Sequence, residues 1–226
     1  RTYTALLAKN APLVDPLQPE LMLRSPKELL EIDNLDCLAL GPGLGKSNEA
    51  QHFLAAALKT KLPLVLDADA LNLLGADNKL QLLLKRRTAA TILTPHPAEA
   101  GRLLNSGTEE IQRDRLAAAL EIARLFRCHV VLKGAGSICA LPDGSWYINT
   151  SGNPGMASAG MGDVLTGMIA ALIAQGLSAG NAMLLAVYLH GAAADVLVAH
   201  GVGPAGLTAS EVTDAARNLL NQSVVN

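Results

Sequence analysis

Along this chain, short continuous apolar runs alternate with stripes of apolar residues at helical spacing, and that alternation predicts the architecture. Residues 37–40, Leu64–Leu66, Thr91–Leu93 and 130–132 are brief strand-like runs, each followed closely by glycine, acid or proline. Between them, helical patterns cover 26–32, 48–58 and 80–85. A longer helix is predicted over 108–126, with Thr108 as a cap and Ile111, Leu116, Leu120, Ala123 and Leu125 broadly on one side. Residues 137–140 and Trp146–Ile148 flank Leu141-Pro142-Asp143-Gly144-Ser145, the pattern of an antiparallel hairpin at the far side of a sheet. Three helices complete the chain over 163–175, 178–199 and 208–220, with Ser178 and Thr208 as N-caps. The three prolines within 11–19 mark a loop, and 201–206 is a turn-rich linker. Strands entering glycine, acid or proline loops and separated by helices build βαβ units. The expected fold is therefore α/β, with a mostly parallel central sheet flanked by helices.

Composition narrows the possible partners. At 226 residues and 50% hydrophobic, the chain is expected to form one large domain. Its 18 basic and 20 acidic residues leave a formal charge of −2 without a block of either sign, which argues against a nucleic-acid surface. An aromatic content of 3% leaves little for base stacking. Cys37, Cys128 and Cys139 lie far apart without metal-ligand spacing; they read as small buried hydrophobes in a reducing, cytoplasmic setting. The apolar run 164–174 is short and bounded by glycines, so a core helix is expected there and no membrane span.

The candidate chemistry concentrates in one run, Asn149-Thr150-Ser151-Gly152-Asn153-Pro154-Gly155-Met156-Ala157-Ser158-Ala159-Gly160-Met161-Gly162-Asp163, just ahead of an apolar helix. Glycines let backbone approach a ligand, and free amides at a helix start favour an anion. Gly160, Met161 and Gly162 are thus candidate phosphate-holding residues. Asp163 beside them suits a base that takes a proton from a hydroxyl attacking a phosphoryl group; the alternative is a simple helix cap.

Other segments admit two readings each. A Walker A loop at Gly41-Pro42-Gly43-Leu44-Gly45-Lys46-Ser47 would need glycine at position 40, where Leu40 stands, and the dinucleotide fingerprint fails because its third glycine is one position early. A ligand-facing loop remains expected at Gly43. Asp67 and Asp69, two apart after a strand, would share a face toward a crevice; alternatively Asp69 caps the next helix and Asp67 ties down a loop. Pro95 and Pro97 hold His96 rigidly, for substrate binding or as a structural group, with Glu99 facing inward or capping. Lys133 after a buried strand would neutralise phosphate while Gly134, Ala135 and Gly136 approach it and Ser137 adds a hydroxyl; alone, the segment is a hairpin with an exposed lysine. His129, His190 and His200 read as structural groups, and Glu109–Arg113 as a surface pair.

With these motifs in order, the chain resembles the NAD(P)H-hydrate dehydratase domain of the nicotinamide-nucleotide repair enzymes, from about Leu35 to Leu220. The resemblance is carried by Gly41-Pro42-Gly43-Leu44-Gly45, Asp67-Ala68-Asp69-Ala70-Leu71-Asn72, Thr94-Pro95-His96-Pro97-Ala98-Glu99, Lys133-Gly134-Ala135-Gly136, the run 153–163, and His190-Gly191-Ala192-Ala193-Ala194-Asp195. It implies a three-layer ribokinase-like α/β fold. It also implies an activity that uses ADP, or less readily ATP, with Mg2+ to phosphorylate the ring hydroxyl of hydrated NADH or NADPH and eliminate phosphate. Asp163 matches the catalytic base and Lys133 to Gly136 the nucleotide-phosphate contacts. Gly43, His96 and Asn153 match or border the hydrate side, where Asp67, Asp69 and Asn72 are placed with them; metal ligands stay unassigned. Relatives begin with a further glycine-rich βα segment, so residues 1–226 are expected to be one dehydratase domain without it. Many bacterial relatives carry a fused epimerase, which makes an epimerase activity an expected partner, and the resemblance also implies a homo-oligomer, a tetramer in bacterial types. The other enzymatic reading is a kinase of the same fold acting on a vitamin-like alcohol such as hydroxyethylthiazole. A nucleotide-sensing domain without turnover is the non-enzymatic one.

Overall fold

The computed structural model describes residues 2–8 and 10–225. Strands β1 (Tyr3–Ala5) and β2 (Met22–Arg24) form a separate parallel pair, with the expected loop between them, and helix α1 (Pro26–Leu30) follows behind a Ser25/Glu28 capping box. The main sheet begins at β3 (Leu38–Leu40). It continues through α2 (Asn48–Lys59), β4 (Leu64–Leu66), α3 (Ala68–Ala76), α4 (Asn78–Lys85), β5 (Thr91–Leu93), α5 (Pro97–Leu104), α6 (Thr108–Arg113) and α7 (Arg115–Phe126) to β6 (His129–Leu132). The hairpin β7 (Ile138–Ala140) and β8 (Trp146–Ile148) comes next, then a 3-10 turn (Pro154–Met156), α8 (Met161–Ala174), α9 (Ala179–Ala199) and α10 (Ala209–Val225). The sheet runs β3-β4-β5-β6-β7-β8, parallel through β6 and antiparallel across the last two pairings.

Period-two alternation divides the core into layers. Leu64, Leu66, Leu93, Val130 and Leu132 face α2, α3, α4, α5 and α7, and the intervening Val65, Ile92 and Val131 face α8 and α9. A smaller cluster of Met161, Ala193, Ala194, Leu207, Val212 and Ala216 joins α8, α9 and α10. Helices on both faces of a largely parallel sheet are the expected three-layer arrangement.

Four local expectations change. The single helix over 108–126 breaks at Asp114 (φ −144°, ψ 81°), whose carboxylate caps α7 by accepting from the Ala117 amide at 2.9 Å. Asp competes with helical backbone for its own hydrogen bonds, which favours such a break. Thr108 lies inside α6, behind an N-cap at Gly107. Helices α3 and α5, hidden by their ligand-like sequences, fill 68–76 and 97–104. Finally, α9 has a mean hydropathy of 1.8 and meets the length and composition of a membrane span, half of it buried in the fold. Its alanines and leucines sustain that hydropathy despite Asn181, Tyr188, His190 and Asp195.

All three cysteines are free, and burial raises their thiol pKa values, to about 12 at Cys37 and Cys139. They pack as apolar groups.

Candidate active site

The carboxyl ends of β3 to β6 are tied edge to edge. Asp67 N–H donates to the Leu40 carbonyl (3.0 Å), Thr94 N–H to that of Leu66 (3.1 Å), and Lys133 N–H to that of Pro95 (2.8 Å). Four loops thus emerge side by side, where open α/β sheets form ligand crevices. Gly41 is required in the first: at φ 137° a side chain would enter the backbone of Asp67.

Over this row stands the amino end of α8. Its N-cap, Gly160, has φ 84° and no side chain to cap the helix. The amides of Met161, Gly162 and Asp163 belong to the first turn, where no intrahelical acceptor exists. Asp163 is exposed, and its carboxylate makes no hydrogen bond or ion pair among the described residues. The cap expected as the alternative role of this acid is not formed by its side chain.

Beneath the helix start lies a buried charge pair. Lys133 Nζ donates to Asp67 Oδ1 at 2.7 Å, and Thr166 Oγ1 to Asp67 Oδ2 at 2.8 Å. Asp67 is 1% exposed, and the lysine side chain 20%. A methyl group on Gly162 would lie 3.1 Å from Lys133 Nζ, so backbone and ammonium are in close approach. Lys133 is therefore sheltered and paired, contrary to the exposed lysine of a plain hairpin.

The two acids do not share a strand face. Asp67 is the N-cap of α3 and Asp69 lies in that helix, which turns their side chains apart. Asp69 Oδ2 accepts from the Gly45 amide at 2.9 Å, so it holds the 41–45 loop while Asp67 turns inward. Both are structurally employed: Asp69 ties the loop that the alternative expectation gave to Asp67, and neither carboxylate caps α3, since that of Asp67 is taken by Lys133 and Thr166. Gly43 tops that loop at φ 66° with open space around it. Asn72 accepts from Arg102 Nη1 at 2.9 Å, joining α3 to α5.

His96 caps α5, its Nδ1 accepting from the amides of Ala98 (3.1 Å) and Glu99 (3.4 Å), while Glu99 Oε2 accepts from the His96 amide at 2.8 Å. Burial, with help from the Lys133 and Arg102 charges, lowers the His96 pKa; burial raises that of Glu99. A neutral ring with Nδ1 accepting leaves Nε2–H directed at Glu99 Oε1, 3.3 Å away. Asn153 caps the 3-10 turn through the Gly155 amide (3.0 Å) and donates to Asp195 Oδ1 (3.1 Å).

Four residues outside the expected set support these loops. Thr166 completes the Asp67 network. Asp195 on α9 accepts from the Gly152 amide at 2.7 Å as well as from Asn153, and Ser151 Oγ donates to the Tyr188 carbonyl at 3.0 Å. Arg115 reaches the loop after β6, donating to the carbonyls of Ala135 (2.6 Å) and Leu132 (3.2 Å). Ser137 Oγ donates within the same loop, to the Gly134 carbonyl at 3.1 Å. Asp195 stood in a quoted motif that assigned it no role; Arg115 and Thr166 lie within helical patterns and have no local signal.

No three His, Cys, Asp or Glu groups among the described residues converge on a metal position. The donor set fits only a Mg2+ carried largely by ligand phosphates, the common mode for this ion, with Asp163 as the free carboxylate nearby.

A family model described as NAD(P)H-hydrate dehydratase matches residues 5–217. The ADP-dependent (S)-NAD(P)H-hydrate dehydratase of Neisseria meningitidis is 45% identical over 206 residues, covering 90% of this chain and 69% of that protein. The bifunctional NAD(P)H-hydrate repair enzyme of Coxiella burnetii is 40% identical over 220 residues; the match covers 94% of this chain but 43% of that enzyme's length. The crystal structure of the ADP/ATP-dependent NAD(P)H-hydrate dehydratase from Bacillus subtilis, co-crystallised with ATP/Mg2+, superposes with a TM-score of 0.79 at 31% identity, covering 92% of this chain and 73% of that one.

Proposed function

The chain belongs to the NAD(P)H-hydrate dehydratase family, and from that premise we propose that it restores NADH or NADPH from the hydrated cofactor at the expense of ADP, or ATP. The observation that carries this reading is the free Asp163 carboxylate at the uncapped amino end of α8, directly above the Lys133–Asp67 pair. Hydroxide is a poor leaving group near neutral pH and phosphate a good one, so the hydroxyl must first be phosphorylated. Asp163 accepts the hydroxyl proton as that oxygen bonds to the terminal phosphorus and the bond from phosphorus to the departing nucleotide breaks. The first-turn amides of α8, with Gly160, Met161 and Gly162, steady the transferring oxygens. In the second step the carbon–oxygen bond breaks, phosphate leaves with the electron pair, and a proton leaves the neighbouring ring carbon to restore the double bond.

The loop from Lys133 to Ser137 is assigned to the nucleotide phosphates. Gly43, Asp69, Asn72, His96 and Asn153 border the hydrated nicotinamide, with Asp67 acting from below. Mg2+ bound to the phosphates supplies charge neutralisation. We read residues 1–226 as one dehydratase domain, working alongside an epimerase activity as in the bifunctional relatives. We place it in the cytoplasm, where hydrated NADH or NADPH would be met. We read the protein as a homo-oligomer, a tetramer, and the exposed apolar residues Trp146, Tyr147 and Ile148 on the edge strand β8 support a contact between copies.

The test is incubation of the purified protein with Mg2+, NADH hydrate and either ADP or ATP, following NADH absorbance and phosphate release together. Coupled recovery and release are expected, with the effective nucleotide identified by comparison. A stable phosphorylated product without NADH recovery would replace this reading with a kinase, and nucleotide binding without turnover with a sensor.

A further inference from the structure

The loop between β6 and β7 contains two left-handed glycines, Gly134 (φ 147°) and Gly136 (φ 64°). Three of its carbonyls are gripped by side chains. Those of Leu132 and Ala135 accept from Arg115, and that of Gly134 accepts from Ser137. A trans peptide is planar, so holding a carbonyl in one direction fixes the next N–H in the other. The Lys133 amide, opposite the Leu132 carbonyl, duly points away and meets the Pro95 carbonyl at 2.8 Å. The amides of Ala135 and Gly136, opposite the two other gripped carbonyls, have no acceptor among the described residues.

The layers say which way those amides face. Arg115 is the first residue of α7, released from α6 by the break at Asp114, and α7 packs on one face of the sheet. Helix α8, whose Gly162 approaches Lys133, packs on the other. The Ala135 carbonyl, drawn toward α7, turns its paired Gly136 amide toward the α8 side, while the Ala135 amide is set by the grip of Ser137 on the Gly134 carbonyl. The fit to Arg115 is close: a methyl group on Gly134 would come within 2.9 Å of Nη2.

We propose that Arg115 is a positioning residue for the nucleotide phosphates, holding the Lys133–Ser137 loop so that the Ala135 and Gly136 amides, with Ser137 as the second grip, point at a phosphate oxygen. This rests on the nucleotide reading of the preceding section. Arginine's planar fork spans two carbonyls, whereas lysine would hold one.

The experiment measures KM for ADP, KM for NADH hydrate and kcat in wild type, R115Q, R115K and S137A, with Tm recorded without nucleotide. R115Q is expected to raise KM for ADP about tenfold or more and S137A about threefold, with R115K between wild type and R115Q. For R115Q and R115K, KM for the hydrate and kcat at saturating ADP stay at wild-type values. An unchanged KM for ADP in folded R115Q overturns the inference, as does a fall in Tm with both KM values rising together, the mark of a purely structural role. If R115Q does not fold, S137A decides, and wild-type KM for ADP there overturns the inference. A wild-type protein with no response to ADP or ATP removes the nucleotide reading itself.

Discussion

The two sides of the crevice are built in opposite ways. Around the amino end of α8 and the loop after β6, side chains serve as scaffolding and backbone is left free: Arg115 and Ser137 hold carbonyls, Asp67 holds Lys133, and the amides of Ala135, Gly136 and the first turn of α8 lack acceptors among the described residues. Around the other loops, the polar side chains are already spoken for. His96 caps α5, Asn72 binds Arg102, Asp69 holds the Gly45 amide, and Asn153 lies between Gly155 and Asp195. A phosphate needs many donors and little shape, which fixed amides supply without side-chain entropy. A ring substrate needs a contoured wall, which interlocked side chains supply.

The contrast can be broken most sharply at Asp163, the one free carboxylate over the α8 amides. Asp163→Asn is expected to reduce turnover by ~10²–10⁴-fold with saturating substrates. Its folding stability should stay within about 1 kcal/mol of wild type, because the side chain has no partner among the described residues to lose. Near-wild-type turnover would remove the base from this site. Asp67→Ala should behave in reverse, as a stability mutant first. It leaves Lys133 and Thr166 facing a vacated buried position and is expected to cost about 3–5 kcal/mol in urea denaturation. A loss below about 1 kcal/mol would mean that the ammonium escapes to solvent.

Acid should weaken the strap that 149–153 forms against α9. His190 in α9 is buried beside Gly191, which packs on Ser151, and burial lowers its pKa to about 4. The unfolded chain protonates near 6.5 while the folded one resists until about 4, so the unfolded state binds more protons between those values. Stability is therefore retained above pH 6.5 and falls as the pH drops toward 4, by roughly 3 kcal/mol in all. Denaturation midpoints across that range should show the decline, and His190→Asn should flatten it. The smallest effect is expected from Asp195→Ala, about 1 kcal/mol in stability, because this carboxylate is exposed. Its kinetic signature sharpens the comparison: KM for NADH hydrate should rise while KM for ADP does not, the mirror of R115Q. A rise in KM for ADP would merge the two sides into one unit.

Much of the fold was legible because its signals are local. Buried parallel strands read as continuous apolar runs; β4 and β5 are wholly buried and lie at the expected residues. The caps at Ser178 and Thr208 formed, Ser178 accepting from the Asn181 amide and Thr208 from that of Glu211. Helices α3 and α5 were masked because their first turns carry the acids, histidine and proline that also mark a ligand loop. The break at Asp114 was masked because the apolar stripe continues across it.

By itself the sequence determined the strands of the main sheet and most of the helices between them, the glycines that backbone geometry demands, and the placing of Asp163 at a helix start. These follow from chain stiffness, periodicity and residue size over a few neighbours. Only the tertiary structure decided that Asp67 turns inward to Lys133 and Thr166, 66 and 99 residues away, while Asp69 ties a loop. It likewise decided that Arg115 lies under the loop after β6. A buried carboxylate takes whichever donors the packed layers bring to it, and that choice is made by burial and long-range contact, which no local pattern encodes.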